Sequence, residues 1–306
     1  MAVAYVQIRY ARHVIEKQDR EVVEALAGGR PIVHMDYQRA RWEGVIGIHC
    51  DDGRVVAITA RRCDLTEVPA SISSLERLVR LDLSGNDDLH ALPASLGRLR
   101  ALRELYLYDG AIHALPAVDG LVALEVLDLN RNPNLAGLPP LDRLPLQFLY
   151  AESCGLRALP ALPATLRYLN ISHNPLGTLA VGGLEALEEL RAEFIGLNET
   201  PVALHQLGKL RELQLRGNGF RELPPLGHEL EVLGLRDNIF TELPASLAGH
   251  PSLSRLDMRG NFLDTVPPFI VELPRLRKLD LRWNRLREAR DAWHTGLVRR
   301  GCAVYL

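Results

Sequence analysis

The stretch Leu210–Phe220, LRELQLRGNGF, decides the fold of this 306-residue chain. It follows the frame L-x-x-L-x-L-x-x-N-x-L, with Phe220 in the last apolar position, and Leu253–Leu263, LSRLDMRGNFL, follows it again. Eleven copies occur at intervals of 20 to 24 residues, beginning at Val55, Leu78, Leu102, Leu124, Leu146, Leu166, Leu187, Leu210, Leu230, Leu253 and Leu276. A period of this length is typical of proteins built from stacked supersecondary units.

The centre of each frame predicts one short strand. Apolar residues at frame positions four and six alternate with variable residues, as in a strand with one buried face. No single repeat can bury that face, so neighbouring repeats must stack. Position nine predicts a buried amide that hydrogen-bonds backbone groups in the turn. It holds Asn86, Asn132, Asn174, Asn218, Asn238, Asn261 and Asn284, with Cys63 and Cys154 in two further repeats.

This frame resembles that of leucine-rich-repeat proteins, which implies an α/β solenoid. The resemblance implies a curved arc of about eleven repeats with a parallel concave sheet. Repeats of about 23 residues, such as residues 92–116, are similar to plant-type and Ras-suppressor-like repeats. Repeats of 20 to 22 residues, such as 159–179, resemble the LPX class of secreted effectors of Gram-negative bacteria. The prolines in Pro160–Pro163 predict extended backbone rather than a helix on the convex side.

The repeats are expected to occupy residues 55–290 of one continuous structural domain, between two caps. Residues 1–54 are predicted to form an amino-terminal cap with an amphipathic helix over His13–Ala27. A hairpin over Trp42–Ala60, turning at Asp52-Gly53, leads into the first repeat. This stretch is similar to the cap of plant-type leucine-rich repeats.

The carboxyl-terminal cap is expected to comprise residues 291–306. The sequence predicts a short helix over Asp291–Arg300 and a final strand over Cys302–Leu306. Trp293 is interpreted as a capping residue, since terminal repeats must cover an otherwise open core.

Net charge, apolar run lengths and cysteine spacing restrict the partners and the cellular compartment expected for this chain. A net charge of -2 gives no general attraction to nucleic acid or anionic lipid, and no apolar run is long enough to span a membrane. No secretory signal is recognised, and the scattered cysteines favour a reducing compartment. We therefore expect a cytoplasmic protein. Export into a host cell by a bacterial secretion system is the alternative that the LPX resemblance implies, although Met1–Ala70 contains no Ser.

Function is expected on the concave face, where side chains at frame positions three, five, seven and eight cannot enter the core. Aromatic residues are concentrated there in the third to seventh repeats. Clustered exposed aromatics favour a protein-binding surface, while stacking between strands is the structural alternative. The predicted anchors are Tyr106, Tyr108, Phe148, Tyr150, Tyr168 and Phe194.

Four arginines at frame position seven form a second pattern on the same predicted face. They are Arg216, Arg236, Arg259 and Arg282, one in each of the last four repeats. Neighbouring strands lie about 4.8 Å apart, so the like charges need compensation. The sequence leaves two interpretations open, an internal salt-bridge lattice with nearby carboxylates and the recognition of an acidic or phosphorylated ligand.

No catalytic, metal or cofactor motif is recognised in the chain. The sequence therefore predicts a non-catalytic scaffold that binds a protein partner on the concave face, with a bacterial effector as its more specific form. The alternative is a regulatory subunit that clamps an enzyme such as a phosphatase or a small GTPase. No nucleic-acid partner is expected, and the oligomeric state is left open.

Overall fold

The computed structural model describes residues 15–34, 44–287 and 292–306. The chain divides into two compact units, Met1–Phe148 and Leu149–Leu306. Within each unit the strands follow one another in chain order, one short strand per repeat. The predicted α/β solenoid of stacked repeats is confirmed.

The first unit begins with helix α1, Lys17–Ala27, which is shorter than the predicted helix. Residues 13 and 14 lie outside the described residues. Glu16 has an extended conformation, and its N–H donates to Gly53 O at 2.8 Å, so the helix begins only at Lys17. It ends at Gly28, whose φ of 55° lets its N–H donate to Glu24 O.

The predicted hairpin is confirmed. Strand β2, Ile46–Asp51, pairs antiparallel with β3, Arg54–Thr59. The turn between them is Asp52-Gly53, in which both residues have positive φ. A strand that was not predicted, β1 at Ile32–His34, pairs parallel with β2.

The helix is tied to the hairpin by Asp19, a fully buried carboxylate. It accepts hydrogen bonds from Val55 N at 2.8 Å and from Arg54 Nε at 3.1 Å. A buried charge of this kind must be paired to be tolerated. This burial is not evident from the sequence, since an aspartate in the first turn of an amphipathic helix is usually solvated.

The remaining strands are three residues long, and their central apolar residues are aligned in parallel register. Leu81, Leu105 and Leu127 align in the first unit, and Leu213, Leu233 and Leu256 align in the second. The strands are β4 (Arg80–Asp82), β5 (Glu104–Tyr106), β6 (Val126–Asp128), β7 (Phe148–Tyr150), β8 (Tyr168–Asn170), β9 (Glu189–Arg191), β10 (Glu212–Gln214), β11 (Val232–Gly234), β12 (Arg255–Asp257), β13 (Lys278–Asp280) and β14 (Ala303–Tyr305). The unit boundary falls within β7.

The asparagines at position nine bond as predicted. The Asn174 side-chain amide donates to Ala151 O at 2.7 Å and to Ile171 O at 2.8 Å. Its Oδ1 accepts from Cys154 N and Leu156 N, both at 3.0 Å. One buried side chain thus satisfies four backbone groups in two repeats, so the asparagines join each repeat to the preceding one.

Short 3₁₀ helices follow a proline in several connections between strands. They are Ala70–Ser74, Ala94–Arg98, Val202–Gln206, Ala245–Leu247 and Pro268–Glu272. Residues 151–167, which include Pro160–Pro163, contain no helix. The prediction that this short connection has no helix is confirmed.

The carboxyl-terminal elements also agree with the prediction. Helix α2, Ala292–Arg299, buries Trp293 to 7% exposure, and β14 pairs parallel with β13. Asp291, the first residue of the predicted helix, lies outside the described residues. Among the described helices, none has both the length and the apolar character that a membrane crossing requires.

Candidate functional site

The solvent-facing side of the strands, here called the sheet face, carries frame positions three, five and seven. At position eight the chain turns in the left-handed region in every repeat, although only three of these residues are glycines. That conformation costs a residue with a Cβ about 1–2 kcal/mol. The residues are Arg62, Gly85, Asp109, Arg131, Ser153, His173, Phe194, Gly217, Asp237, Gly260 and Trp283.

The glycines at position eight leave space for the position-eight side chain of the preceding repeat. A Cβ on Gly217 would lie 2.1 Å from Cε1 of Phe194. A Cβ on Gly260 would lie 2.3 Å from Asp237 Oδ1. The Phe194 ring and the Asp237 carboxylate therefore lie directly over a glycine of the next repeat, a close approach that only glycine allows.

In the first unit, the predicted aromatic anchors are half-buried against arginines. The Arg80 guanidinium lies 4.3 Å from the Tyr106 ring centroid, and Tyr106 Oη donates to Glu104 Oε2 at 3.0 Å. The Tyr108 ring lies 5.2 Å from the Arg61 guanidinium, and burial raises the pKa of Tyr108. Phe148 is half-buried as well. The Tyr106 and Tyr108 rings are held in place by these cation–π contacts.

In the second unit, two of the predicted anchors contact each other and the third contacts a histidine. Tyr150 and Tyr168 lie 4.6 Å apart, and burial raises the pKa of Tyr168 to about 12. His173 stacks on Phe194 at 4.9 Å, and the Arg216 guanidinium lies 5.0 Å from the Phe194 ring. The Tyr150 and Tyr168 rings are tilted, the His173 and Phe194 rings are stacked, and Phe194 remains 37% exposed. Its exposed side is available to a partner.

All four predicted arginines lie in the second unit and are ion-paired. Arg216 Nε donates to Asp237 Oδ2 at 2.9 Å. Arg236 Nε lies 3.1 Å from the same oxygen but is buried and makes no hydrogen bond. A single carboxylate is thus shared by two guanidinium groups. Arg216 makes a hydrogen bond to it, whereas the Nε of Arg236 is close to the carboxylate without hydrogen-bond geometry.

The last two arginines are paired more fully. Arg259 donates to Asp257 at 2.9 Å, and Arg282 donates to Asp280 Oδ2 at 2.7 Å. Asp280 is 2% exposed; burial alone would raise its pKa, but the hydrogen bonds from Arg282 outweigh this effect and lower it. The salt-bridge interpretation therefore describes the observed geometry. Four arginines face three aspartates, which leaves one positive charge in excess.

Trp283 is a candidate site residue that the sequence prediction did not include. Its side chain is 63% exposed at position eight of the last repeat. The guanidinium groups of Arg236, Arg282 and Arg259 lie 5.1, 5.6 and 5.9 Å from its ring. Its place at position eight, directly after Arg282, is the signal that could have identified it.

An unusual carboxylate lies on the sheet face of the first unit. Asp128 is half-buried, and its Oδ1 accepts a hydrogen bond from Asn130 N at 3.1 Å. Burial raises its pKa to about 6, and the neighbouring carboxylates of Asp82 and Asp109 act in the same direction. No ion pair to Asp128 is found among the described residues.

The cysteines do not have the surroundings of nucleophiles. Cys63 and Cys154 are free and buried at position nine, where Cys154 Sγ donates to Glu152 O. Burial raises the pKa of Cys63 and of Cys302, and raises that of Cys50 to about 11. A thiol with a raised pKa is protonated at neutral pH. In the described ranges, no His, Cys, Asp and Glu side chains cluster as a metal site would require.

The repeated strands, the asparagine bonds between repeats and the turns at position eight define a repeat protein of the leucine-rich type. Family models described as leucine-rich repeat match residues 228–286 and 163–186. The chain therefore contains leucine-rich repeats, as these two family models describe them.

Comparison with known proteins identifies relatives with similar repeats. Disease resistance protein RRS1 of Arabidopsis thaliana is 32% identical over 182 residues, which is 59% of this chain but only 13% of RRS1. The sequence of YopM, a leucine-rich effector protein from Yersinia pestis, is 24% identical to this chain. The two structures match with a TM-score of 0.60 over 85% of this chain and 70% of YopM. A chain of the octameric complex of Latrophilin 3, Unc5D and FLRT2 is 21% identical with a TM-score of 0.59, over 84% of this chain and 90% of that one. The two structural similarities show a common fold.

Proposed function

We propose that the chain is a non-catalytic scaffold that binds a partner protein on the sheet face, the side expected to be concave. The observation that carries this proposal is the exposure of Phe194 and Trp283 beside arginines in the second unit. Trp and Arg are enriched among residues that dominate binding energy at interfaces. The two rings are therefore the proposed anchors.

The energetic argument concerns Trp283. A tryptophan can bury about 150–250 Å² in an interface, and its side chain is 63% exposed here. Covering the exposed part would contribute about 2–4 kcal/mol at about 25 cal/mol per Å². The Trp283 backbone is in the left-handed region, which is unfavourable for a residue with a Cβ. Burial of the side chain does little to offset this conformational cost, because most of the ring is exposed.

Other predicted residues have supporting parts in the proposal. Tyr150 and Tyr168 extend the aromatic surface of the second unit. The four arginines, although ion-paired, are partly exposed and can exchange carboxylates with a partner. In the first unit, Tyr106, Tyr108 and Phe148 form a separate proposed contact area. The complex that contains FLRT2 shows a protein of similar fold within a multi-protein assembly.

The test is a pull-down from lysate of the source cell with the wild type and the double variant Phe194→Ala, Trp283→Ala. Phe262→Ala is the matched control, because Phe262 is 36% exposed and lies 4.4 Å from the Arg285 guanidinium, but stands at frame position ten. We expect a protein retained by the wild type and the control to be lost with the double variant, without a change in thermal midpoint. Identical retention by all three proteins would refute the proposed anchors.

A second candidate function is that of an exported bacterial effector. The connection in residues 151–167, which contains no helix, favours it, since that short repeat resembles the LPX class, and the YopM effector has a similar fold. The test is a translocation reporter fused to the chain in a secretion-competent bacterium. Reporter activity in host cells that depends on the secretion system supports export, whereas retention in the bacterium supports the resident scaffold.

A further inference from the structure

A groove of about 930 Å³ lies at the beginning of the last repeat strands in the second unit. It is formed where β12, β13 and the residues after α2 meet. Its charged lining consists of Arg255, Arg275, Arg277, Lys278, Arg300 and one carboxylate, Glu231. Five cations thus face one anion.

These cations differ in their pairing from several arginines at frame positions five and seven of the same unit. The Arg191, Arg216 and Arg259 guanidinium groups lie within 3.0 Å of a carboxylate oxygen. Arg255, Arg275, Arg277 and Lys278 are exposed, and no ion pair involving them is found in the described part of the chain. Among the described residues, no ion pair compensates their mutual repulsion, and an anion in the groove would relieve it.

One residue of the groove lining, Arg300, is held in place by hydrogen bonds to backbone carbonyl groups. The Arg300 side chain donates to Leu273 O at 2.8 Å and to Pro274 O at 3.2 Å, and it also bonds Val271 O. These carbonyls orient the guanidinium without neutralising its charge. A planar, oriented guanidinium recognises carboxylate and phosphate groups better than a mobile ammonium does.

The groove adjoins the sheet face. Arg255 and Lys278 occupy frame position three of their strands, and Lys278 Nζ lies 5.6 Å from the Tyr305 ring. A partner that contacts Trp283 can therefore extend a chain segment towards these cations. The volume is in the range of ligand-binding clefts, and a concave groove suits an extended segment better than a flat membrane surface.

We propose that this groove binds an acidic polypeptide segment, with consecutive carboxylates or phosphorylated residues, of the protein partner. The inference rests on the proposed function and specifies the chemistry of the partner. The positively charged groove would speed encounter and select acidic segments, while the aromatic anchors would supply most of the affinity.

The test measures binding of three labelled peptides by fluorescence anisotropy. One peptide is glutamate-rich, one carries phosphoserines in place of the glutamates, and one carries unmodified serines. The groove variant is Arg275→Glu, Arg277→Glu. The matched control is Lys209→Glu, Arg211→Glu, which makes the same charge change at the same frame positions in the eighth repeat.

We expect the wild type and the control to bind an acidic peptide, and the groove variant to bind it about tenfold more weakly or worse. Affinity should fall steeply between about 50 and 300 mM salt. The tighter of the two acidic peptides identifies carboxylate or phosphate as the preferred group. The Phe194→Ala, Trp283→Ala variant should retain peptide binding, so this inference can fail independently of the proposed anchors.

Three results would overturn the inference. The first is the absence of binding to both acidic peptides, and the second is an equal loss in the groove variant and its control. The third is tighter binding of a single-stranded RNA of similar charge, which would make the groove a nucleic-acid surface instead.

Discussion

The raised pKa of Asp128 predicts that Asp128→Asn stabilises the protein at neutral pH. Burial raises this pKa from 3.8 to about 6, so the charged form is disfavoured in the folded state. A shift of about 2 units corresponds to about 3 kcal/mol at 1.4 kcal/mol per unit. Because the side chain is only half-buried, solvent screening reduces the expected gain to about 1–2 kcal/mol.

The amide can replace the carboxylate without loss of the local hydrogen bond. Asn170 occupies the same frame position in the sixth repeat, and its Oδ1 accepts from Ser172 N at 3.1 Å. Asp128 Oδ1 accepts from Asn130 N at the same distance. The substitution therefore removes the charge and retains the turn.

The pH dependence gives the sign of the effect. The folded state holds the Asp128 proton more tightly than the unfolded state, so wild-type stability contributed by this group falls as the pH rises from about 4 to 6. The advantage of Asp128→Asn should be full above about pH 7 and should shrink towards zero near pH 4. Urea unfolding at several pH values measures it.

The control for this prediction is Asp257→Asn, at the same frame position in the tenth repeat. Asp257 is paired with Arg259, so its loss should destabilise the protein at neutral pH by about 1 kcal/mol. The reasoning is refuted if Asp128→Asn is neutral or destabilising above about pH 7, or if its effect does not change with pH.

Two pairs of substitutions test the contacts between repeats. Asn174→Ala leaves four buried backbone groups without a partner and should lower the free energy of unfolding, measured in urea, by about 2–4 kcal/mol. Asn284→Ala should lower it less, because the Asn284 side chain is partly exposed. Equal losses of unfolding free energy in the two variants would contradict this account. Gly217→Ala places a Cβ 2.1 Å from the Phe194 ring, whereas Gly177→Ala, also at positive φ, meets no atom within 4 Å. We expect about 1 kcal/mol of destabilisation for Gly177→Ala and clearly more for Gly217→Ala, measured by thermal unfolding, with the difference removed when Phe194 is also replaced by Ala.

The repeat frame predicted the strands and turns because the spacing of the leucines and the position of the asparagine together determine the backbone. Leucines at positions four and six could only form the buried side of stacked strands, and the asparagine at position nine had unpaired turn groups to satisfy. The hairpin before the first repeat followed from turn chemistry at Asp52-Gly53. Strand β1 was missed because three residues are too few to show an alternation.

The candidate site was less predictable because the frame gives the side of the sheet but not the direction of each side chain along it. Asp237 reaches both Arg216 and Arg236, a sharing that residue spacing alone does not indicate. Burial of Asp19 depends on how α1 packs on β3, which is a tertiary contact. The basic groove likewise requires the residues after α2 to lie beside β13.

The close packing of a position-eight side chain over the glycine of the following repeat has a consequence for repeat engineering. Phe194 requires Gly217, Asp237 requires Gly260, and Arg62 similarly lies over Gly85. Deleting a module that contributes one of these glycines would place the side chain of the preceding repeat against a Cβ. These modules would therefore have to be exchanged as neighbouring pairs, with the overlying residue and its glycine kept together.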